Sequence, residues 1–191
     1  MTFEEIREKL AAKFGGERIG ALAPANKDPF LVVQAADIVE ICRFLKAELA
    51  FDCLMNLSAI DWPKRNQIDV VYHLWSYSQR HAFILKVQLD RARPEIDSIE
   101  PVWKSADWLE REQYDLLGVT FVGHPDLRRI MLPDDWVGHP LRKDYKEQAE
   151  WHNITTTREN SLEGYVKLDE FRKKAAEAAA AAAPEKKELP Q

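Results

Sequence analysis

An α+β domain followed by an extended C-terminal arm is the fold this chain predicts, on three observations. Two segments near the start carry apolar residues at helical spacing. Three strand-like runs then follow in quick succession, joined by turns too short for anything but antiparallel neighbours. After Phe121 the pattern fits neither a helix nor a strand. The expected domain is a mostly antiparallel sheet with helices packed on one face. It is expected to cover residues 1–121, with an arm over 122–167 and a low-complexity tail over 168–191.

Thr2 with Glu5 forms a capping box ahead of Ile6, Leu10 and Phe14, so helix one runs from about Thr2 to Phe14 and stops at Gly15-Gly16. Arg18 to Ala23 is a possible short strand, and Phe30 to Val33 reads as a buried one. Asp37 is a suitable N-cap for helix two, whose inner face is Ile38, Ile41, Leu45 and Leu49. Cys53–Ile60, Ile68–Tyr77 and His81–Leu89 are the three meander strands. Ile96 to Ile99 reads as an approach to helix three, which Ser105 or Asp107 caps and Gly118 ends. The alanine run in the tail is too short to hold a helix in water by itself, so a frayed tail is expected.

The net charge is −5, which argues against a general nucleic-acid surface. Cys42 and Cys53 are the only cysteines. Both read as small buried hydrophobes, and two thiols cannot supply the four ligands of an iron–sulfur cluster. No apolar run approaches the roughly 20 residues of a membrane-spanning helix. The start, MTFEEIREKL, has neither secretory nor transit-peptide character. The Asn153-Ile154-Thr155 sequon therefore carries no functional weight.

The informative stretch is Glu110 to Tyr145. Helix three carries Glu110, Arg111, Glu112 and Asp115, with Arg111 four residues from both Asp107 and Asp115. Exposed, these are solvated ion pairs; as chemistry, Glu112 and Asp115 make a carboxylate pair with no nucleophile, metal or phosphate loop near them in sequence. Gly-His-Pro then occurs twice, at His124 and His139, with Arg128-Arg129 and Arg142-Lys143 behind the two copies. The histidines with Asp126, Asp134 and Asp135 can be cast as a metal site, but their spacing defines no ligand face. Arginine forks and a large aromatic such as Trp136 instead suit a protein interface. Unpaired charge resists burial, so the arm is expected to lie along a partner with few contacts to its own domain.

The spacing Glu110-Arg111-Glu112, Asp115, His124, Arg128 closely resembles the signature of the 30 kDa subunit family of respiratory complex I. In bacteria this family is the C component of NADH-quinone oxidoreductase. The run LRRIMLPDDWVGHPLRKDY is similar to that family as well. The resemblance is dense over about 103–145. It implies a structural subunit of the peripheral arm, without cofactor or catalytic residues of its own. Its implied partners are the quinone-site subunit, which is the D component, and neighbouring subunits of the peripheral arm. FMN and iron–sulfur clusters belong to partner subunits. The complex passes electrons from NADH to quinone with ion translocation, and this chain is placed peripherally on the cytoplasmic side of the inner membrane. The implied interface residues are Glu110, Arg111, Glu112, Asp115, His124, Arg128, Arg129, Trp136, His139 and Arg142. Two alternatives stand beside it: the equivalent subunit of a ferredoxin-fed dehydrogenase or membrane-bound hydrogenase, and a stand-alone metal hydrolase.

Overall fold

The computed structural model describes residues 1–20 and 29–156. The chain divides into two compact units, Met1–Tyr145 and Lys146–Gln191. The far end of the possible first strand, the rest of the arm and the low-complexity tail lie outside the described residues.

Helix α1 (Phe3–Phe14) starts as its sequence dictates. Thr2 accepts from the Glu5 amide at 3.3 Å and Glu5 reaches back to the Thr2 amide at 3.0 Å. After β1 (Leu31–Val33), a short 3-10 turn leads into α2 (Ile38–Leu49). Asp37 does stand at the N-terminus of α2, but its side chain makes no capping bond and pairs with Arg18 at 3.2 Å instead. The inner faces of both helices, Ile6 and Leu10 with Ile38, Ile41, Leu45 and Leu49, are buried against the sheet. Cys42 is buried there too, and burial pushes its thiol pKa far up, so it is an inert core residue. Cys53 is only half-buried.

The meander is β2 (Cys53–Trp62), β3 (Gln67–Ser76) and β4 (His81–Asp90), antiparallel throughout. One expectation needs correcting: the sheet is mixed. Its order is β1-β4-β3-β2, and β1 runs parallel to β4, with Leu31 opposite Leu85 and Val33 opposite Val87. The reason is topological. Helix α2 crosses over between β1 and β2, so the two strands point the same way. Two hairpin reversals later, β4 regains the direction of β2 and lies beside β1. Ile19, from the possible first strand, contributes an isolated antiparallel bridge to Val33.

A second, parallel pair was not evident in the sequence. β5 (Glu95–Asp97) and β6 (Thr120–Val122) are joined by α3 (Ala106–Leu117). Each strand is three residues long, too short to show a period. Unit one also runs on through Tyr145, whereas the sequence suggested an end near Phe121. In the second unit, β7 (Glu150–Trp151) and β8 (Ile154–Thr155) form a small hairpin. His152 and Asn153 take positive φ of 49° and 63° at its tip, as a two-residue hairpin turn requires.

Candidate functional site

Helix α3 organises the site, because it is covered on two sides by different means. Gln113 faces the edge strand β2. It accepts from the Ala59 amide at 3.0 Å and donates to the Leu57 carbonyl at 3.5 Å. The helix thus caps an edge that would otherwise offer free backbone groups. The opposite side is covered by a strap, residues 123–145, with no regular secondary structure.

Asp115 fixes the middle of that strap. Its carboxylate is fully buried. It accepts from Arg129 Nη1 at 2.9 Å and from three successive backbone amides, Ile130 at 3.0 Å, Met131 at 2.7 Å and Leu132 at 3.0 Å. Burial alone would raise its pKa. The three amides and the guanidinium outweigh that and hold the carboxyl below the usual carboxylate range.

The second Gly-His-Pro caps the C-terminus of α3. His139 Nδ1 donates to the Asp115 carbonyl at 2.9 Å, the Leu141 amide to Leu116 at 3.0 Å, and Arg142 Nε to Leu117 at 2.8 Å. Three carbonyls that a helix end leaves free are therefore satisfied, one of them by a cation where the helix dipole favours it. Burial lowers the pKa of His139, which keeps the ring neutral. Gly118 permits this arrangement: its φ is +73°, and a Cβ there would stand 2.5 Å from His139 Nε2. Gly118→Ala is accordingly expected to cost about 2 kcal/mol, the sum of left-handed strain and a lost hydrogen bond. Urea unfolding of the purified chain measures it, and a change within about 0.5 kcal/mol, the size of a surface substitution, would count against the packing.

The first Gly-His-Pro sits at the other end of the helix. The His124 side chain is fully buried, with Nε2 3.2 Å from the Asp107 carbonyl and Nδ1 accepting from the Asp126 amide at 3.0 Å. Arg111 is buried beside it. Its guanidinium stacks 4.8 Å from the Trp108 ring, its Nη1 lies 3.9 Å from Asp107 and 3.8 Å from Asp126, and its Nε donates to the Arg128 carbonyl. The pairing of Arg111 with Asp115 that the helical spacing suggested is replaced by these contacts. The end of the strap is clasped to β2. Arg91 holds buried Asp61 with two bonds, at 2.6 and 3.0 Å, and reaches Asp144 on the strap at 2.5 Å, while the Lys143 amide donates to Asp61 at 2.9 Å.

These contacts overturn the expectation that the arm makes few contacts with its own domain. The arm's arginines that turn inwards meet partners on the domain, Arg129 on Asp115 and Arg142 on the Leu117 carbonyl, which offsets the cost of their burial. Glu110, Arg111 and Asp115 are internal; on the strap, the His124 side chain is fully buried, Arg129 nearly so, and His139 half-buried. Glu112, Trp136 and Arg142 are half-buried; Arg128 is exposed and paired with Asp126. Trp136 Nε1 donates to the Tyr145 hydroxyl at 3.0 Å. Asp115 is saturated, so it cannot serve a carboxylate pair with Glu112. The two histidines bind opposite ends of α3 and do not converge on a metal. Among the described residues no group of three or more His, Cys, Asp or Glu is placed to hold one. Sequence reasoning missed Asp61, Arg91 and Gln113, whose partners lie 30 to 82 residues away. It also missed the exposure of Trp108 and Met131.

The profile of the family described as "Respiratory-chain NADH dehydrogenase, 30 Kd subunit" matches residues 31–150. The chain is 47% identical over 122 residues to the C component of the NADH-quinone oxidoreductase of Moorella thermoacetica, covering 64% of this chain and 82% of that one. It is 45% identical over 108 residues to the C component of the F(420)H(2) dehydrogenase of Methanosarcina mazei, covering 56% and 68%. Among solved structures it resembles a trypsin-resistant fragment (1-134) of Nqo5, with a TM-score of 0.55 and 26% identity over 64% of this chain and 99% of the fragment.

Proposed function

Because the chain belongs to the 30 kDa subunit family of respiratory-chain NADH dehydrogenases, we propose that it is the non-catalytic 30 kDa subunit of an NADH-quinone oxidoreductase, docking through its strap on the quinone-site subunit. The complex passes electrons from NADH through FMN and iron–sulfur centres to quinone, coupled to ion translocation. This chain contributes shape to that assembly.

One observation carries the reading. The strap is saturated on its inner side by its own domain, yet its outer side exposes Met131 at 64%, Val137 at 67% and Leu141 at 54%. Apolar side chains in a charged surround, on a backbone already held in place, are what a protein interface needs. A preorganised strap also avoids the ordering cost that a loose arm would meet on docking. Within the implied interface set, Arg128, Glu112, Trp136 and Arg142 are placed to reach a partner. Glu110, Arg111, Asp115, His124, Arg129 and His139 set the shape from beneath.

No helix among the described residues is long and apolar enough to cross a membrane. Attachment on the cytoplasmic side of the membrane would come through the complex. The nearly equal likeness to an NADH-linked and an F(420)H(2)-linked relative supports placing the choice of electron donor in the partner subunits. The alternative of a ferredoxin-fed or hydrogenase complex differs in those partners alone.

Native affinity purification with mass spectrometry of the co-eluting proteins tests the reading. The quinone-site subunit is expected with the wild-type chain. Met131→Glu combined with Val137→Glu is expected to reduce its recovery about tenfold or more, the effect of losing an interface anchor, with the thermal melt of the free chain unchanged. Undiminished recovery of that partner would place the interface elsewhere.

A further inference from the structure

We propose that Glu110, His124 and Asp107 form a proton-operated latch, in which loss of the Glu110 proton frees the first Gly-His-Pro turn from the N-terminal end of α3. Glu110 has no exposure. The Ser98 hydroxyl donates to it at 2.6 Å and the Ile99 amide at 2.8 Å. Among the described residues no Lys or Arg nitrogen lies within ion-pair distance of it; the only cationic candidate is His124, whose Nε2 is 3.9 Å away. That ring cannot help as it stands. Its Nδ1 accepts from the Asp126 amide and its Nε2 is already directed at the Asp107 carbonyl at 3.2 Å, so neither ring nitrogen is aimed at the Glu110 carboxyl.

The other titratable neighbours do not compensate an anion either. Asp107, on the same helix, has a buried Oδ1 without a hydrogen-bond partner, 3.4 Å from His124 Nε2. Glu100 precedes the helix, and both carboxylates disfavour ionisation of Glu110. Cys42 on α2 and Tyr72 on β3 face the same carboxyl from the core. Arg111 is engaged with Asp107, Asp126 and the Trp108 ring. Burial therefore dominates and pushes the Glu110 pKa up to about 7.

Ionisation leaves an uncompensated buried charge, and the cheapest relief is to admit water. Helix and sheet cover the carboxyl on the core side. On the strap side the cover is the turn at His124, flanked by exposed Val122, Gly123, Pro125 and Asp126. That turn is held to the domain by the His124 ring on the Asp107 carbonyl, by Arg111 on Asp126 and on the Arg128 carbonyl, by the His124 amide on Phe121 and by Leu127 packed against the core, with the Asp126 amide on His124 Nδ1 closing the turn on itself. Val122 is tied into β6, where its carbonyl accepts from the Ser98 amide at 2.9 Å, and beyond Arg128 the strap is pinned by Asp115, so opening is confined to residues 123–128.

The sign follows from linkage. A carboxyl whose pKa is raised when closed favours the closed form in acid. Opening therefore increases with pH from 4.5, the ordinary value, to about 7 and levels off above it. Any effect on docking rests on the interface reading; the latch itself is tested on the free, full-length chain. Hydrogen exchange of the Asp126 amide, corrected for intrinsic rate, is expected to report an opening constant about fiftyfold larger at about pH 7.5 than at about pH 5. Glu110→Gln is expected to abolish that difference. Ser98→Ala, which removes a donor that holds the Glu110 pKa down, is expected to move the rise to higher pH. Equal protection at both pH values in the wild type, or an unchanged rise in Glu110→Gln, overturns the latch. Should Glu110→Gln not fold, the Ser98→Ala shift decides, because a purely structural role would leave the midpoint where it was.

Discussion

Asp115→Ala is expected to unfasten the middle of the strap and to destabilise the protein by roughly 3–5 kcal/mol, the range for removing one partner of a buried charge pair. The size follows from what is left behind. Arg129 loses the carboxylate it touches at 2.9 Å, and three successive amides lose their common acceptor in a site closed to water. Asp115→Asn keeps one acceptor oxygen and is expected to lose about half as much. Urea unfolding gives the total, and hydrogen exchange at Ile130, Met131 and Leu132 shows whether the loss is local. A loss below about 1 kcal/mol, or amides 130–132 as protected as before, would mean that Asp115 does not hold the strap.

Asp61→Ala is the second large effect. It removes two bonds to Arg91 and the acceptor of the Lys143 amide. Arg91 keeps Asp144, so the expected cost is smaller, about 2–3 kcal/mol. In a double-mutant cycle, Asp61→Ala and Arg91→Ala should be non-additive by more than about 1 kcal/mol, because they break one interaction. Simple additivity would dissolve the clasp. The same pair has a pH signature. The Arg91 hydrogen bonds hold Asp61 below its ordinary 3.8, and Asp115 is held below it by its amides. Both contributions are complete above that value and vanish as pH falls beneath it. Glu110 acts in the opposite sense, favouring the fold in acid and losing that contribution as pH climbs towards about 7. Glu110→Gln is therefore expected to remove the Glu110 part of the alkaline loss while leaving the acid loss from Asp61 and Asp115 in place.

Local pattern made much of the domain legible. Thr2 and Glu5 announce their capping box because the whole interaction spans four residues. The meander strands were readable because each is ten residues long and its turns are short. Gly118 marked the end of α3, and its positive φ is the reason. β5 and β6 were not legible, since three residues carry no period and their pairing depends on the helix between them.

The signature shows the division most clearly. Sequence alone put Glu110, Arg111, Glu112, Asp115, His124 and Arg128 at a spacing that resembles one family's signature, and that resemblance pointed to the family. It could not decide which of them face outwards. A charged residue in a helix is exposed by default, since burial without a partner is costly. That default fails at Asp115 and Arg111, whose compensation comes from residues 14 to 17 positions ahead that return over the helix. It fails again at Asp61, whose partners stand 30 and 82 residues away. Tertiary structure alone turned an arm expected to reach for a partner into a strap bound to its own domain. The physical reason is that the free energy of a buried charge is set by what surrounds it, and that surrounding is assembled from residues distant along the chain.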